Sequence, residues 1–176
     1  TPIIIQSTFT LNQANNGVGG AIFNASSSLT LRDITLSNNH ANGDGGGIYN
    51  EGALSVDTGV FNGNTALYGG GAIGHRGSIL EILNSNFQNN QAQGGGAVGA
   101  WSGTNTVIGN TIFSQNNATN GSGGAIVSSA SSTTFTNVSV LNNAAADSGG
   151  GILSTGSLTI NVGLFANNTA IYGGGI

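Results

Sequence analysis

Apolar positions recur along this chain at a fixed period. The tetrapeptide Gly-Gly-(Ala/Gly)-(Ile/Val) ends at Ile22, Ile48, Ile73, Val98, Ile126, Ile152 and Ile176, at intervals of 26, 25, 25, 28, 26 and 24. A second marker, apolar-x-x-Asn-x-Ala, starts at Phe9, Leu36, Phe61, Phe87, Phe113, Val140 and Phe165, at intervals of 27, 25, 26, 26, 27 and 25. Two independent markers hold one period, which is how a repeat architecture announces itself. Seven and five positions before the second marker stand Leu29/Leu31, Leu54/Val56, Leu80/Ile82 and Leu158/Ile160. Thr106/Ile108 and Thr133/Phe135 are weaker versions, and the first repeat keeps only Ile4. Alternation of period two describes a half-buried strand, and no segment shows the i, i+3, i+4 spacing of an amphipathic helix. Each repeat therefore predicts three short strands, Leu-x-Ile, Phe-x-x-Asn and Gly-Gly-Ala-Ile, separated by polar turns.

Such strands cannot bury a face alone, and a repeat this short leaves no room for a crossover helix. Pairing each strand in parallel with its copy one repeat later solves both problems. The prediction is an all-β parallel β-helix, a β-solenoid of seven coils with uncapped ends, forming one domain over residues 1–176. Seven coils spaced about 4.8 Å apart give a rod roughly 34 Å long. Right-handedness follows the general bias of parallel crossovers.

In that register like residues stack on like. Phe9, Phe61, Phe87, Phe113 and Phe165, with Leu36 and Val140 between them, form an interior stack. Ala14, Ala41, Ala66, Ala92, Ala118, Ala145 and Ala170 mark a tight corner. Asn12, Asn39, Asn64, Asn90, Asn116, Asn143 and Asn168 share one position. An amide donates and accepts, so stacked copies can bond along the axis. Asn also tolerates the left-handed backbone of a turn, and the two roles are compatible. The paired glycines supply positive φ or close backbone approach at another corner. They have no following helix with which to cradle a phosphate.

Composition sharpens the picture. The chain has 176 residues, 32 Gly and 25 Asn, and only 5% are charged. Low charge with much Gly and Asn is also a disorder signature, but 38% hydrophobic residues placed in register argue for a core. In a stack each charge would face its own copy, so scarce charge is what stacking expects. Two cationic residues leave no electrostatic footprint for nucleic acid. The absence of Cys removes disulfides and thiol chemistry. No apolar run is long enough for a membrane-spanning helix, and the start carries neither Met nor a signal peptide. The expectation is a processed or excised piece of an exported protein, extracellular or at the cell surface.

The repeats resemble those of the chlamydial polymorphic membrane proteins, autotransporter-like surface proteins with Gly-Gly-Ala-(Ile/Leu/Val) and Phe-x-x-Asn motifs. Gly19-Gly20-Ala21-Ile22, Gly70-Gly71-Ala72-Ile73, Gly95-Gly96-Ala97-Val98 and Gly123-Gly124-Ala125-Ile126 carry the first. The second is intact at Phe9, Phe61, Phe87, Phe113 and Phe165. The resemblance spans the chain, without the family's membrane barrel. It implies a right-handed β-helix displayed outside the cell, often serving adhesion.

Because some β-helices act on polysaccharides, the ionisable residues are candidates to weigh. Hydrolysis of a glycoside wants two carboxylates across a cleft. Arg32 and Asp57 lie one local repeat apart, as do Glu51 and Arg76, which reads as stacked surface ion pairs. His75, beside Arg76 in a turn, lacks a carboxylate dyad, and Glu81 is the other candidate for turnover. His40 is expected to face solvent. No catalytic residue, cofactor or metal site is assigned, since two distant histidines make a poor ligand set. Asn42-Gly43-Asp44-Gly45-Gly46-Gly47 reads as a turn, because calcium-binding Gly/Asp nonapeptides must repeat. Trp101, in the longest interval, is the candidate surface contact: its indole would stack on a sugar, dock a neighbour or fold over the core's end. Tyr68 and Tyr172 share a register but stand four coils apart. Sequons at Asn24, Asn117, Asn120, Asn137 and Asn167 matter only in a glycosylating host.

At the ends, Ile3, Ile4, Ile5 and Ile176 would lie bare, since solenoids normally need caps. The chain is thus expected to be a window of a longer array, or a subunit stacking head to tail into a filament. Two function classes remain. One is a non-enzymatic structural or adhesive β-helix, whose partners are neighbouring repeats, identical subunits, or a host surface or glycan. The other is a carbohydrate-binding or polysaccharide-degrading β-helix.

Overall fold

The computed structural model describes every residue except Thr1, Ser26 and Ser102. Among the described residues every regular element is a strand, and the strands stack in parallel as a β-solenoid of about six turns, close to the seven coils expected. Three walls run along the axis. The first is an eleven-stranded sheet, beginning with Ile3–Thr10, Leu29–Ser37 and Leu54–Asn62. From the fourth turn on, each strand of this wall splits into two, as in Ile79–Leu83 and Asn86–Gln88. The second wall has six two-residue strands, such as His40–Ala41 and Gln91–Ala92. The third has six strands of three residues, such as Ile48–Asn50 and Ile73–His75.

The register is the one the markers dictate. Phe9, Leu36, Phe61, Phe87, Phe113, Val140 and Phe165 are successive partners along the first wall. Phe61 and Phe87 stack with centroids 4.4 Å apart, and Phe87 and Phe113 at 4.8 Å. Each ring therefore covers its neighbour at the spacing of the sheet, and the five middle members of this row are buried. Ile22, Ile48, Ile73, Val98, Ile126 and Ile152 form the facing row on the third wall. One contiguous core results, with Phe9 and Phe165 packed against its ends.

The strand boundaries differ from those expected. Leu-x-Ile and Phe-x-x-Asn belong to one wall, and a left-handed residue bends the strand between them. That residue is Gln6, Asp33, Thr58, Asn84, Asn110 or Asn137, with φ from 49° to 55° in five of them and 58° at Thr58. The separate second wall lies after the ladder asparagine, at residue-Ala pairs that no hydrophobic alternation marks. The third wall starts at the Ile or Val that closes each tetrapeptide, so the glycines form the corner and not the strand.

The two glycines of each pair do different work. The first has positive φ, as at Gly45 (69°) and Gly70 (65°), a conformation cheap only for glycine. The second is where the backbones of adjacent coils press together. A Cβ on Gly46 would stand 2.3 Å from the Gly71 carbonyl oxygen, and one on Gly71 2.1 Å from that of Gly96. The third position varies from coil to coil. It is Ala in the coils of Phe61, Phe87 and Phe113 but Gly at Gly47, Gly151 and Gly175; a Cβ on Gly47 would stand 2.9 Å from the Ala72 carbonyl oxygen and 3.2 Å from Leu36 Cδ2, and one on Gly151 2.6 Å from the Gly175 carbonyl oxygen and 2.9 Å from Val140 Cγ1.

Candidate functional site

At the corner between the first and second walls, the asparagines form a hydrogen-bonded ladder. Asn90 shows the unit. Its Oδ1 accepts from the backbone N–H and the Nδ2 of Asn64, both at 3.0 Å. Its Nδ2 donates to the Phe61 carbonyl and to Asn116 Oδ1, again at 3.0 Å. The amide thus uses two acceptor and two donor sites, its full capacity. The same four bonds recur at Asn39, Asn64, Asn116 and Asn143, at 2.9–3.1 Å. Asn12 donates to Asn39 at the start, and Asn168 donates to the Val140 carbonyl at the finish. All of the five middle members are buried. Burying an amide is costly unless it is bonded, so each amide is placed by its two neighbours.

The left-handed turn falls on the preceding residue, which is Asn38, Asn89, Asn142 or Asn167 in four coils, with φ of 54–56°. Ladder and turn are therefore separate rows. Another amide row went unread in the sequence: Asn137 donates to Asn110 at 3.0 Å, Asn110 to Asn84 at 3.1 Å, and Asn84 to Asp57 Oδ1 at 2.7 Å. Asn84, Asn110 and Asn137 are exposed left-handed residues of the first wall. Their spacing of one repeat was a signal, hidden because no apolar neighbour is common to them.

The ionisable residues are arranged differently from the stacked pairs expected. Arg32 and Asp57 are register partners, but Asp57 accepts from Asn84 instead. Arg76 turns away from Glu51 and reaches Asp44, Nη2 to Oδ2 3.5 Å. It does so because its guanidinium lies over the Trp101 ring, 4.5 Å from the centroid. Asp44 is itself fixed by accepting the Gly69 N–H at 2.9 Å. The segment from Asn42 to Gly47 is thus a turn that presents a carboxylate.

His75 is not in a turn. It closes a third-wall strand with its ring inside, in a row with Asn24 and Asn50. Asn24 Nδ2 donates to Asn50 Oδ1 at 2.5 Å, and Asn50 Nδ2 approaches His75 Nδ1 at 3.2 Å. Nε2 is buried without a partner. Burial pushes the His75 pKa down to about 4, and the nearby Gly77 backbone offsets only part of this. His40 is bound between Thr65 and Asn42, both at 2.8 Å, and is half-buried. Glu81 accepts from Ser55 at 2.9 Å on the first wall, so it is not brought to His75. Among the described residues no group of three or more His, Cys, Asp or Glu is placed to hold a metal ion.

Trp101 is half-buried on the outside of the third wall and does not fold over the core's end. A Cβ on Gly69 or Gly99 would stand 2.9 or 3.0 Å from indole carbons, so glycines make its seat. Ile3, Ile5 and Ile176 are 61, 50 and 52% exposed, while Ile4 packs against the core. No helix of the described residues is long and apolar enough to cross a membrane.

Stacked parallel walls, an interior of like upon like and a corner of asparagine amides define a repeat-built β-solenoid. Two of its consecutive turns, residues 33–51 and 58–75, match the Chlamydia polymorphic membrane protein repeat. The matched stretches contain the ladder residues Asn39 and Asn64 and the tetrapeptides ending at Ile48 and Ile73, the motifs on which the resemblance was drawn. No curated protein and no solved structure matches the chain.

Proposed function

We propose that this chain is a non-enzymatic structural and adhesive β-helix of an exported protein, displayed at the cell surface. The observation that carries this reading is the match of consecutive turns to a surface-protein repeat. The uninterrupted axial stack of Phe and Asn suits it. Identical units bonded through amides and packed through rings make a stiff spacer whose outer positions are free to vary. The scarcity of charge leaves little beyond the Arg76–Asp44 pair for salt to screen, so such a spacer keeps its shape across ionic strengths.

The ladder also has a direction. From amide to amide, each Nδ2 donates to the Oδ1 of the next coil toward the C-terminus, and each Oδ1 accepts from the coil before it. A further coil at either end, from the same chain or from an identical subunit, would therefore meet a complementary row. Head-to-tail stacking into a filament extends the proposal.

Three measurements test it. Antibody to the chain should label intact producing cells, and external protease should remove the label; labelling only after permeabilisation would sink the surface reading. Beads coated with the chain should bind target cells more than beads coated with an unrelated β-helix, and equal binding would sink the adhesive one. Electron microscopy of the concentrated chain decides stacking: monodisperse particles would refute filament assembly.

A further inference from the structure

Outside the third wall lies a cleft of about 390 Å³ that includes Asp44, Tyr68, Arg76, Gly94 and Trp101 in its lining. That is within the range of small-ligand sites. Its parts are organised by contacts that a plain surface turn would not need. The Trp101 ring rests on glycines, and the Arg76 guanidinium lies over it. Asp44 is anchored by the Gly69 N–H through one oxygen and faces Arg76 with the other. The Arg76 side chain is 51% exposed, so its guanidinium is open to solvent and to a ligand in the cleft. Tyr68 is 57% exposed on the same cleft.

We infer that this cleft is a binding subsite for a neutral pyranose unit of a glycan. One cation and one anion side by side sum to no net charge, which favours a neutral ligand over an anionic one. They also present donors next to an acceptor. Adjacent sugar hydroxyls, each both donor and acceptor, match that arrangement. An exposed tyrosine ring supplies the flat amphipathic surface on which the C–H face of a sugar packs. Gly94 keeps the cleft open: a Cβ there would meet only the Ser122 carbonyl oxygen at 3.6 Å. A side chain at this position fills the cleft without straining the wall. The inference goes beyond the structural role and does not depend on it, because it is tested on the purified chain alone.

The chain has a single tryptophan, so intrinsic fluorescence reports from this cleft. The probes are neutral tetrasaccharides of glucose, and of mannose and N-acetylglucosamine as carried on cell surfaces, with tetragalacturonate as the acidic comparison. At least one neutral probe should give a saturable change with Kd near or below millimolar, and which kind does so separates free polysaccharide from cell-surface glycan as the source. Binding should weaken at least tenfold in Gly94→Leu and in Tyr68→Ala, and stay unchanged in Tyr172→Ala, the exposed register mate with no Arg or Trp across from it. Unaltered thermal midpoints establish that the variants are folded, and Tyr68→Ala, at an exposed site, serves if Gly94→Leu is not. No saturation by any neutral probe, binding of the acidic probe alone, or full affinity in a folded Gly94→Leu would overturn the inference.

Discussion

The buried imidazole of His75 makes the fold acid-sensitive, with a size that can be worked out. In the unfolded chain His75 titrates near pH 6.5, whereas in the fold it stays neutral down to about pH 4. Below pH 6.5 the unfolded state therefore binds a proton that the folded state refuses, and stability falls with pH. His75's contribution is fully present above pH 6.5 and is lost as pH drops through 4. A separation of about 2.5 units at 1.36 kcal/mol each gives ~3.4 kcal/mol in all, of which ~3 kcal/mol is lost between pH 7 and pH 4. His75→Asn separates this from the titration of six carboxylates, which is common to both proteins. Asparagine is the residue at Asn24 and Asn50 in the same inward row, so it continues an existing stack without a titratable group. Urea unfolding of both proteins at pH 7 and pH 4 is the assay. The wild type should lose ~3 kcal/mol more than His75→Asn on acidification. Equal losses would refute the reasoning, and so would an NMR titration placing the His75 ring near pH 6.5.

Three further outcomes follow from the same geometry. Thr58 is a β-branched residue in the left-handed region, in a row that holds Asn in three other coils; Thr58→Asn should raise stability by about 1 kcal/mol, read as a higher thermal midpoint. Gly71→Ala places a Cβ 2.1 Å from the Gly96 carbonyl oxygen, whereas Gly17→Ala meets nothing within 4 Å. The first should cost more than ~3 kcal/mol or prevent folding, and the second should be neutral, both read by circular dichroism on heating. Asn90→Asp keeps the two acceptor bonds but loses both donor bonds and buries a charge, at a cost of about 3 kcal/mol or more at pH 7. Because burial raises the pKa of the new carboxyl above its unfolded value, the penalty should shrink as pH falls toward 4. A penalty that is constant with pH in denaturant titrations would count against this account.

The repeat, its period and the axial register were legible in the chain, because in a parallel stack each marker sits directly on its own copy. Phe61, Phe87 and Phe113 needed no more than counting, and so did the common position of Asn39 to Asn143. The walls were less legible. Three strands were expected from three motifs, yet two of those motifs share one wall, and the second wall consists of residue pairs too short to alternate. Left-handed residues fix those corners, and six residue types, Gln, Leu, Asp, Asn, Thr and Gly, occupy them. Residue type alone therefore could not reveal them. The cleft was half visible: Trp101 stood out as the only indole, but its partners Arg76 and Asp44 were assigned elsewhere.

What the sequence by itself determined is the one-dimensional part of this protein, namely parallel stacking, the period, and which residues repeat along the axis. Pairing of like with like is local to adjacent turns, and the spacing of the markers encodes it completely. What only the tertiary structure decided is everything around the circumference: which motifs share a wall, that His75 faces in while Arg76 faces out, and that Arg76 leaves Glu51 for Asp44 and the Trp101 ring. Those outcomes depend on where each corner bends and on contacts across different rows, and no periodicity along the chain records them.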